Sequence, residues 1–372
     1  MEEENHLHNI LAEKPKRYPV NGTFELTVRC NLHCKMCLFR HDDGETPQLM
    51  AKELTAKQWI DMAEQAAKEG TGSLLITGGE PMLRPDFCEI WEGIYKQGFI
   101  MELYTNATLV TPQIMETLKK YPPHKIGITL YGASRETYQA VCGNGSAFRM
   151  AVKGARELSL LPSLIQFRTT IIKDNYCDIE SMENLIHSEF GKERMLIQTR
   201  IVTKAVRGGC ADAVSCRLDP EDNVNLALRR GFDQIKKCVG DTYHSENVSL
   251  KWVKQSKNTT DLKDAKPTLF GCNAGMRDYT ISWDGKLLGC QMLGVFSTDV
   301  LKEGLKAAWE RFPAVVYLPD QNEECRQCQR KQLCNSCAAS RVAETGKING
   351  CPDYFCRDAK VIQKMINRGE RE

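Results

Sequence analysis

Hydrophobic positions along this chain recur with two periods that take turns. After a polar, proline-marked stretch to Asn21, Phe24, Leu26 and Val28 alternate within Thr23–Arg29 and predict a strand. Thr55 and Gln58 then form a capping-box pattern ahead of Trp59, Ala63, Ala66 and Ala67, a helical stripe closed by Gly70. Ser73–Thr77 is a short apolar run that predicts a buried strand. Phe87, Ile90, Trp91, Ile94 and Tyr95 lie at helical spacing before Gly98, a stripe suited to core packing. The alternation continues with strands at Ile100–Thr105, Lys125–Leu130, Leu164–Ile172 and Met195–Thr203. Between them, helices are expected from Thr111-Pro112 to Leu118, through Phe148, Val152, Ala155 and Leu158, and around Met182–Ile186.

Six strands alternating with helices predict parallel βα units, a sheet or partial barrel covered by helices, with ligands at the C-terminal strand ends. Asp219-Pro220 opens a further helix to about Cys238, with Val224, Leu228, Phe232 and Ile235 inward. Gly240–Thr268 then turns polar and loses its period, which places a boundary there. Beyond it, DYTISWDGKLLGCQML predicts a hairpin around Asp284-Gly285, and Val361, Ile362, Met365 and Ile366 mark a last helix. The division expected is a leader over 1–20, a barrel over 21–238, a linker over 239–270 and a cysteine-rich unit over 271–372.

Bulk composition narrows the class. A chain of 372 residues, 42% of them hydrophobic, can bury a sizeable core. Lys and Arg number 50 against 48 Asp and Glu, so no charge footprint for nucleic acid or an anionic membrane is present. The acidic start lacks the apolar core of a secretory signal, and no stretch approaches the roughly 20 apolar residues of a membrane span. The expectation is a cytoplasmic protein.

The 17 cysteines change the picture. Three stand in the opening loop, eight follow residue 271 and six are scattered between, a clustering that reads as metal binding. Cys30, Cys34 and Cys37 follow the first strand directly in FELTVRCNLHCKMCLF. Three thiolates leave a fourth coordination position open, and thiolates suit zinc or iron–sulfur clusters. A structural zinc completed by His33 or a distant residue is the alternative. At the end of the second strand, ITGGEPMLRPD supplies Gly78 and Gly79, which let backbone approach closely, then Glu80 as an acceptor and Pro81 as a stiff exit.

The cysteine loop one βα unit ahead of a GGEP turn resembles the radical S-adenosylmethionine (SAM) superfamily, over roughly residues 20–205. The resemblance implies a partial (β/α)6 TIM-like barrel in the α/β class, with a [4Fe-4S] cluster on Cys30, Cys34 and Cys37. SAM would occupy the open iron position and be cleaved reductively to a 5′-deoxyadenosyl radical that abstracts a substrate hydrogen. By position, Gly78, Gly79, Glu80 and Pro81 would form the methionine-binding turn, with Gly79 and Glu80 on its amine. Asn106 and Thr129 match places that contact adenine and ribose, and Arg168 would face the carboxylate. Met36 stands where relatives carry an aromatic residue, and would pack on the adenine face.

In the last third, Cys272 is separated by twelve residues from Gly285, which is followed by four residues and Cys290. Cys325, Cys328, Cys334 and Cys337 follow, then Cys351 and Cys356. This resembles the SPASM extension, a hairpin, loops and helix that hold two auxiliary [4Fe-4S] clusters. The family pattern is Cx9–15Gx4C, a gap, CxxCx5CxxxC, a gap and a final cysteine; here the fourth cysteine comes one residue early and there are two late ones. The family's interleaving assigns Cys272, Cys290 and Cys337 to one cluster and Cys325, Cys328, Cys334 and a late cysteine, with Cys356 the better match, to the other. Cys351 either completes the first cluster or leaves it open to substrate. The remaining cysteines, Cys88, Cys142, Cys177, Cys210, Cys216 and Cys238, read mostly as buried small hydrophobes; among them Cys142 and the pair Cys210 and Cys216 are better placed, and a thiol there could donate a hydrogen atom or bind substrate.

SPASM-bearing relatives mostly modify peptides, so the resemblance implies a peptide maturase that forms thioether or carbon–carbon cross-links or epimerises residues. With 29 residues ahead of Cys30, too few for an independent core, leader recognition is expected from a separate protein or from the loops, or the substrate has no leader, and electrons are expected from a flavodoxin- or ferredoxin-type donor. Rival expectations are a sulfatase-maturating type, disfavoured by Gln291 after Cys290 where an acid is needed, and small-molecule oxidation of an alcohol or a tetrapyrrole side chain. A non-catalytic zinc or redox-sensing protein is the bland alternative.

Overall fold

A computed structural model describes residues 17–200, 202–204, 207–208, 213–228, 272–312, 325 and 327–369. Six parallel strands appear in sequence order: β1 (Asn21–Glu25), β2 (Ser73–Thr77), β3 (Ile100–Thr105), β4 (Lys125–Thr129), β5 (Leu164–Thr170) and β6 (Leu196–Thr199). Each pairs with its predecessor, as in Phe24 opposite Ile76 and Thr129 opposite Arg168. β1 does not close on β6. It pairs instead with a later strand, which leaves the barrel open, as the partial-barrel reading expects.

Strand alternation explains where the core lies. On β2, Leu74 and Ile76 are fully buried toward the covering helices, while Thr77 ends on the inner side. Phe24 meets Trp59 of the helix Ala56–Lys68 with ring centroids 5.1 Å apart. That helix starts as its sequence demands: Thr55 accepts from the Gln58 N–H and Gln58 returns the bond, satisfying two otherwise orphaned donors. The helix Phe87–Tyr95 buries Phe87, Ile90, Trp91 and Ile94, the stripe read from the sequence. Losing a fully buried tryptophan of this kind costs about 3–5 kcal/mol.

The first strand is shorter than expected. Ladder pairing stops at Glu25 because the chain beyond it bends toward the cysteine loop, yet bonds continue singly from Leu26 N to Thr77 O at 2.9 Å and from Gly79 N to Thr27 O at 2.8 Å. Several elements were not anticipated. The helix Arg135–Cys142 has only Tyr138, Val141 and Cys142 buried, too narrow a stripe to stand out, although Ser134 caps it and Gly143 ends it in the left-handed region. The helix Val300–Arg311 is interrupted by Gly304 at φ 76, which hides its period.

The expected boundary is crossed by the sheet itself. β7 (Asp278–Ile281) lies parallel to β1, and β8 (Lys286–Leu288) and β9 (Ser297–Asp299) follow antiparallel, giving nine strands in the order β6-β5-β4-β3-β2-β1-β7-β8-β9. The hairpin around Asp284-Gly285 is therefore present, but it extends the barrel sheet instead of starting an isolated unit. Trp283 O accepts the Leu54 N–H at 3.0 Å and Gln65 Oε1 accepts that of Leu305 at 2.9 Å, adding contacts across the same seam. The helix expected to run from Asp219 to Cys238 is described over 220–228; its remainder, the 239–270 linker and the first sixteen residues lie outside the described residues. Among the described residues no helix is long and apolar enough to cross a membrane.

Candidate iron–sulfur site

The loop after β1 is held by backbone bonds to the end of the helix Arg135–Cys142. His33 N donates to Cys142 O and Lys35 N to Val141 O, both at 3.0 Å, using carbonyls that a helix C-terminus leaves unpaired. Cys37 N returns to Cys34 O at 3.2 Å, a turn that sets these two thiols on one side. Cys30, Cys34 and Cys37 all line one cavity of about 490 Å³ at the C-terminal ends of the strands. Met36, Gly78, Gly79, Asn106 and Thr129 line it as well. The site thus gathers eight of the residues singled out from the sequence.

Three others stand apart. The Glu80 carboxylate is fully buried and accepts from Met82 N at 3.1 Å, Thr105 Oγ1 at 2.8 Å and Asn106 N at 2.8 Å. Its geometry makes it a staple between the turns after β2 and β3, where an amine-binding role was expected. Burial pushes its carboxyl up to about 7 against the pull of those donors. Pro81 is buried in the short 3-10 turn Pro81–Leu83, away from the cavity wall. Arg168 also stops short: its guanidinium lies over the Tyr104 ring at 4.3 Å and donates to the Tyr104 hydroxyl, so Tyr104 takes the place at the wall.

The glycines also allow a close approach within the protein. A Cβ on Gly78, at φ +146, would sit 2.3 Å from Thr27 O, and one on Gly79 would sit 2.2 Å from Arg29 O. The close approach is between the GGE turn and the chain leaving β1, which draws the turn against the cysteine loop. Below it, Arg29 and Glu53 form a bidentate pair, with Thr27 Oγ1 and Arg84 on the same carboxylate.

Asn106 anchors Cys30. Its Nδ2 donates to Asn31 Oδ1 at 3.0 Å and faces Cys30 Sγ at 3.8 Å, while its Oδ1 accepts from Thr108. The next residue, Ala107, holds φ 58 although it is not glycine, and its carbonyl fits only because Gly154 lacks a Cβ. The sequence carried no sign of that strain. Tyr131 was also missed, though it stands two residues past Thr129; it lines the cavity and hydrogen-bonds to Cys34, and burial holds its hydroxyl well above the usual range. His33, a candidate fourth ligand in the zinc alternative, pairs with Asp43 at 3.2 Å at the cavity mouth.

Burial first, then the Glu80 charge, pushes the Cys30 thiol up to about 12. Cys34 is raised by its hydrogen bond to Cys142 and by burial. Thiols raised in this way are poor nucleophiles, and binding a metal would require the release of their protons. Among the described residues, no three His, Cys, Asp or Glu side chains converge closely enough to hold a single ion. Three cysteine thiols around one open cavity suit a four-iron cluster with one position left free for a further ligand.

Cys142 is fully buried in the core, as the leading reading expects; it donates to Tyr138 O at 3.0 Å and does not line the cavity. Cys216 is likewise buried and donates to Ala213 O. Cys88 is half-buried and packs against the core as expected, whereas Cys177 is exposed. Cys210 and Cys238 lie outside the described residues.

The C-terminal cysteines separate into two groups. Cys272 and Cys290 neighbour Cys337, whose charge raises both, though burial is the larger cause and takes Cys290 up to about 11. Cys325 and Cys356 neighbour Cys334 and Cys351, again with burial as the first cause of raised thiols. Cys351 Sγ lies 3.3 Å from Cys356 Sγ. Cys351 therefore sits with the second group, and the first group brings together three thiols among the described residues. Cys328 is joined to the second group through its N–H bond to Cys325 O.

An open parallel barrel, a three-thiol loop at its strand ends and two further thiol groups beyond its sheet are the features expected of an iron–sulfur enzyme of the partial-barrel class. Residues 24–186 match the model of the Radical SAM superfamily, and the chain carries a radical SAM domain. Domains of this kind bind S-adenosylmethionine and a [4Fe-4S] cluster. The AdoMet-dependent heme synthase of Methanosarcina barkeri is 27% identical over 335 residues, 87% of this chain and 92% of that protein. The mycofactocin maturase of Mycobacterium tuberculosis is 32% identical over 144 residues, 38% of this chain and 34% of that protein. The crystal structure of Streptococcus suis SuiB bound to S-adenosylmethionine superposes with TM-score 0.67 at 17% identity, covering 95% of this chain and 80% of SuiB, a likeness of fold.

Proposed function

We propose that this radical SAM enzyme modifies a peptide, with Cys30, Cys34 and Cys37 holding the cluster at which S-adenosylmethionine is bound. When bound, cluster and cofactor would together supply a hydrogen-abstracting 5′-deoxyadenosyl radical. The chain's own residues orient the cofactor: the Gly78–Gly79 turn and Asn106 carry the cysteine loop, Thr129 and Met36 form the wall, and Tyr104 presents a hydroxyl backed by Arg168. Cys272, Cys290 and Cys337 would hold one auxiliary cluster, and Cys325, Cys328, Cys334 and Cys356 or Cys351 the other.

The observation that carries the peptide reading is the pair of C-terminal thiol groups, the first flanking the strands that continue the barrel sheet at Cys272 and Cys290, the second in the loops and helix beyond them. SuiB, similar in fold over 95% of this chain, has also been solved bound to the precursor peptide SuiA. A flavodoxin- or ferredoxin-type donor would reduce the clusters, and a separate protein would recognise a leader.

A second reading is favoured by one finding. The heme synthase of M. barkeri aligns over 87% of this chain, whereas the maturase aligns over 38% of it. Oxidation of a tetrapyrrole side chain is therefore the competing proposal. Anaerobic incubation with S-adenosylmethionine and dithionite separates them. A mass change in a short cysteine-rich peptide encoded beside this chain supports the first, two hydrogens lost for a cross-link or deuterium gained for epimerisation. Peptides left unchanged, with an iron porphyrin oxidised at its side chains, would replace it by the second.

A further inference from the structure

Arg207 follows the last barrel strand and touches three separate segments. Its Nη1 and Nη2 donate to the Glu25 carboxylate at 2.8 and 2.5 Å, and its Nε donates to Gln291 O at 3.1 Å. The guanidinium lies over the Phe39 ring at 4.3 Å, and its own N–H donates to Leu38 O at 3.1 Å. Leu38 and Phe39 follow Cys37 directly, and Gln291 follows Cys290 directly. One side chain thus joins the loop of the radical-domain thiols to the loop of the first auxiliary group.

The neighbourhood is built for this contact. A Cβ on Gly294 would lie 3.3 Å from the Arg207 side chain, and Gly208 packs at φ +113 against the Phe39 and Arg40 carbonyls. Glu25 is 3% exposed and ends β1, the strand that both the barrel and the hairpin share. A cavity of about 10 Å³ lies between Glu25, Arg207, Phe39, Trp283 and the Gly78–Gly79 turn, space for about one water beside the pair. A buried ion pair adds little to stability compared with apolar packing, and its best-attested use is to fix register. Lysine cannot replace the fork: only arginine offers a planar bidentate face and a third N–H in one rigid group.

We propose that Arg207, held on Glu25, is a positioning residue that sets the register between the Cys30–Cys37 loop and the Cys290 loop, and so the spacing and field between the two thiol sites. The register claim stands on geometry alone; the claim about the field rests on the reading that these thiols hold clusters.

The test compares anaerobically purified native protein with Arg207→Lys and Arg207→Met. Glu25→Gln combined with Arg207→Met serves as the variant that leaves no buried carboxylate unpaired. Amide hydrogen exchange is measured over residues 30–40 and 290–294, with auxiliary-cluster midpoints by EPR and iron per chain on the same samples. The expected result is that all three variants exchange about tenfold faster in both loops together, with β3 and β4 unchanged. Auxiliary midpoints move negative when the cation is lost in Arg207→Met, and the EPR spectrum of Arg207→Lys also changes despite its retained charge. Native protection in either loop, or an unchanged spectrum in Arg207→Lys, would overturn the proposal. Native protein that holds no iron sinks the cluster reading instead, and the exchange result still decides the register claim.

Discussion

Glu80 Oε2 accepts the Asn106 N–H at 2.8 Å, and the Asn106 side-chain amide faces Cys30 Sγ at 3.8 Å. A carboxylate that never reaches the cavity therefore holds the residue that positions the first thiol. Glu80→Gln turns an amide NH2 toward donors only and should destabilise the fold by about 2 kcal/mol at neutral pH, read by urea unfolding under argon.

The same variant carries a pH signature. The Glu80 carboxyl ionises near 4.5 in the unfolded chain and near 7 when folded. Its raised folded value means that its stabilisation is fully present below pH 4.5 and is lost as pH rises to about 7. The native margin over Glu80→Gln should narrow across that window and stay level above it. A margin that widens with pH would contradict the burial assigned to this group.

Gly79→Ala should cost about 3 kcal/mol, because its Cβ meets the Arg29 carbonyl, which belongs to the backbone and cannot move aside. It should also reduce iron at the Cys30 site. Gly70→Ala is the control: at φ +89 with open space around it, about 1 kcal/mol and no change in iron are expected. Thermal melts and iron content on both variants check the difference.

The two C-terminal thiol groups should respond independently. Cys337→Ser is expected to perturb the EPR signal assigned to the Cys272 and Cys290 group and leave the other intact, with Cys356→Ser doing the reverse. Loss of both signals in either variant would show that the groups are one site.

Much of this was legible in the sequence where local signals and tertiary structure agree. Ser73–Thr77 and Ile100–Thr105 stand as strands with their expected bounds, since their apolar runs end where the cavity begins. The cysteine loop and the GGEP turn were readable because each is short and contiguous. What escaped depends on long-range contacts. Glu80 looked like a ligand-facing acid, and only its pairing with Thr105 and Asn106 turns it inward. The grouping of Cys351 with Cys356 needed their 3.3 Å sulfur separation, which spacing alone left open. Arg207 gave no motif at all, because its partners Glu25 and Gln291 are far apart in the chain.

The most direct test of the account is reductive cleavage of S-adenosylmethionine by anaerobically purified protein. About twelve irons per chain with sulfide are expected, with dithionite-dependent formation of 5′-deoxyadenosine. Replacing Cys30, Cys34 and Cys37 by alanine should leave about eight irons and abolish the product. Zinc in place of iron, or 5′-deoxyadenosine formation that survives loss of those three cysteines, would contradict the assignment of the opening loop.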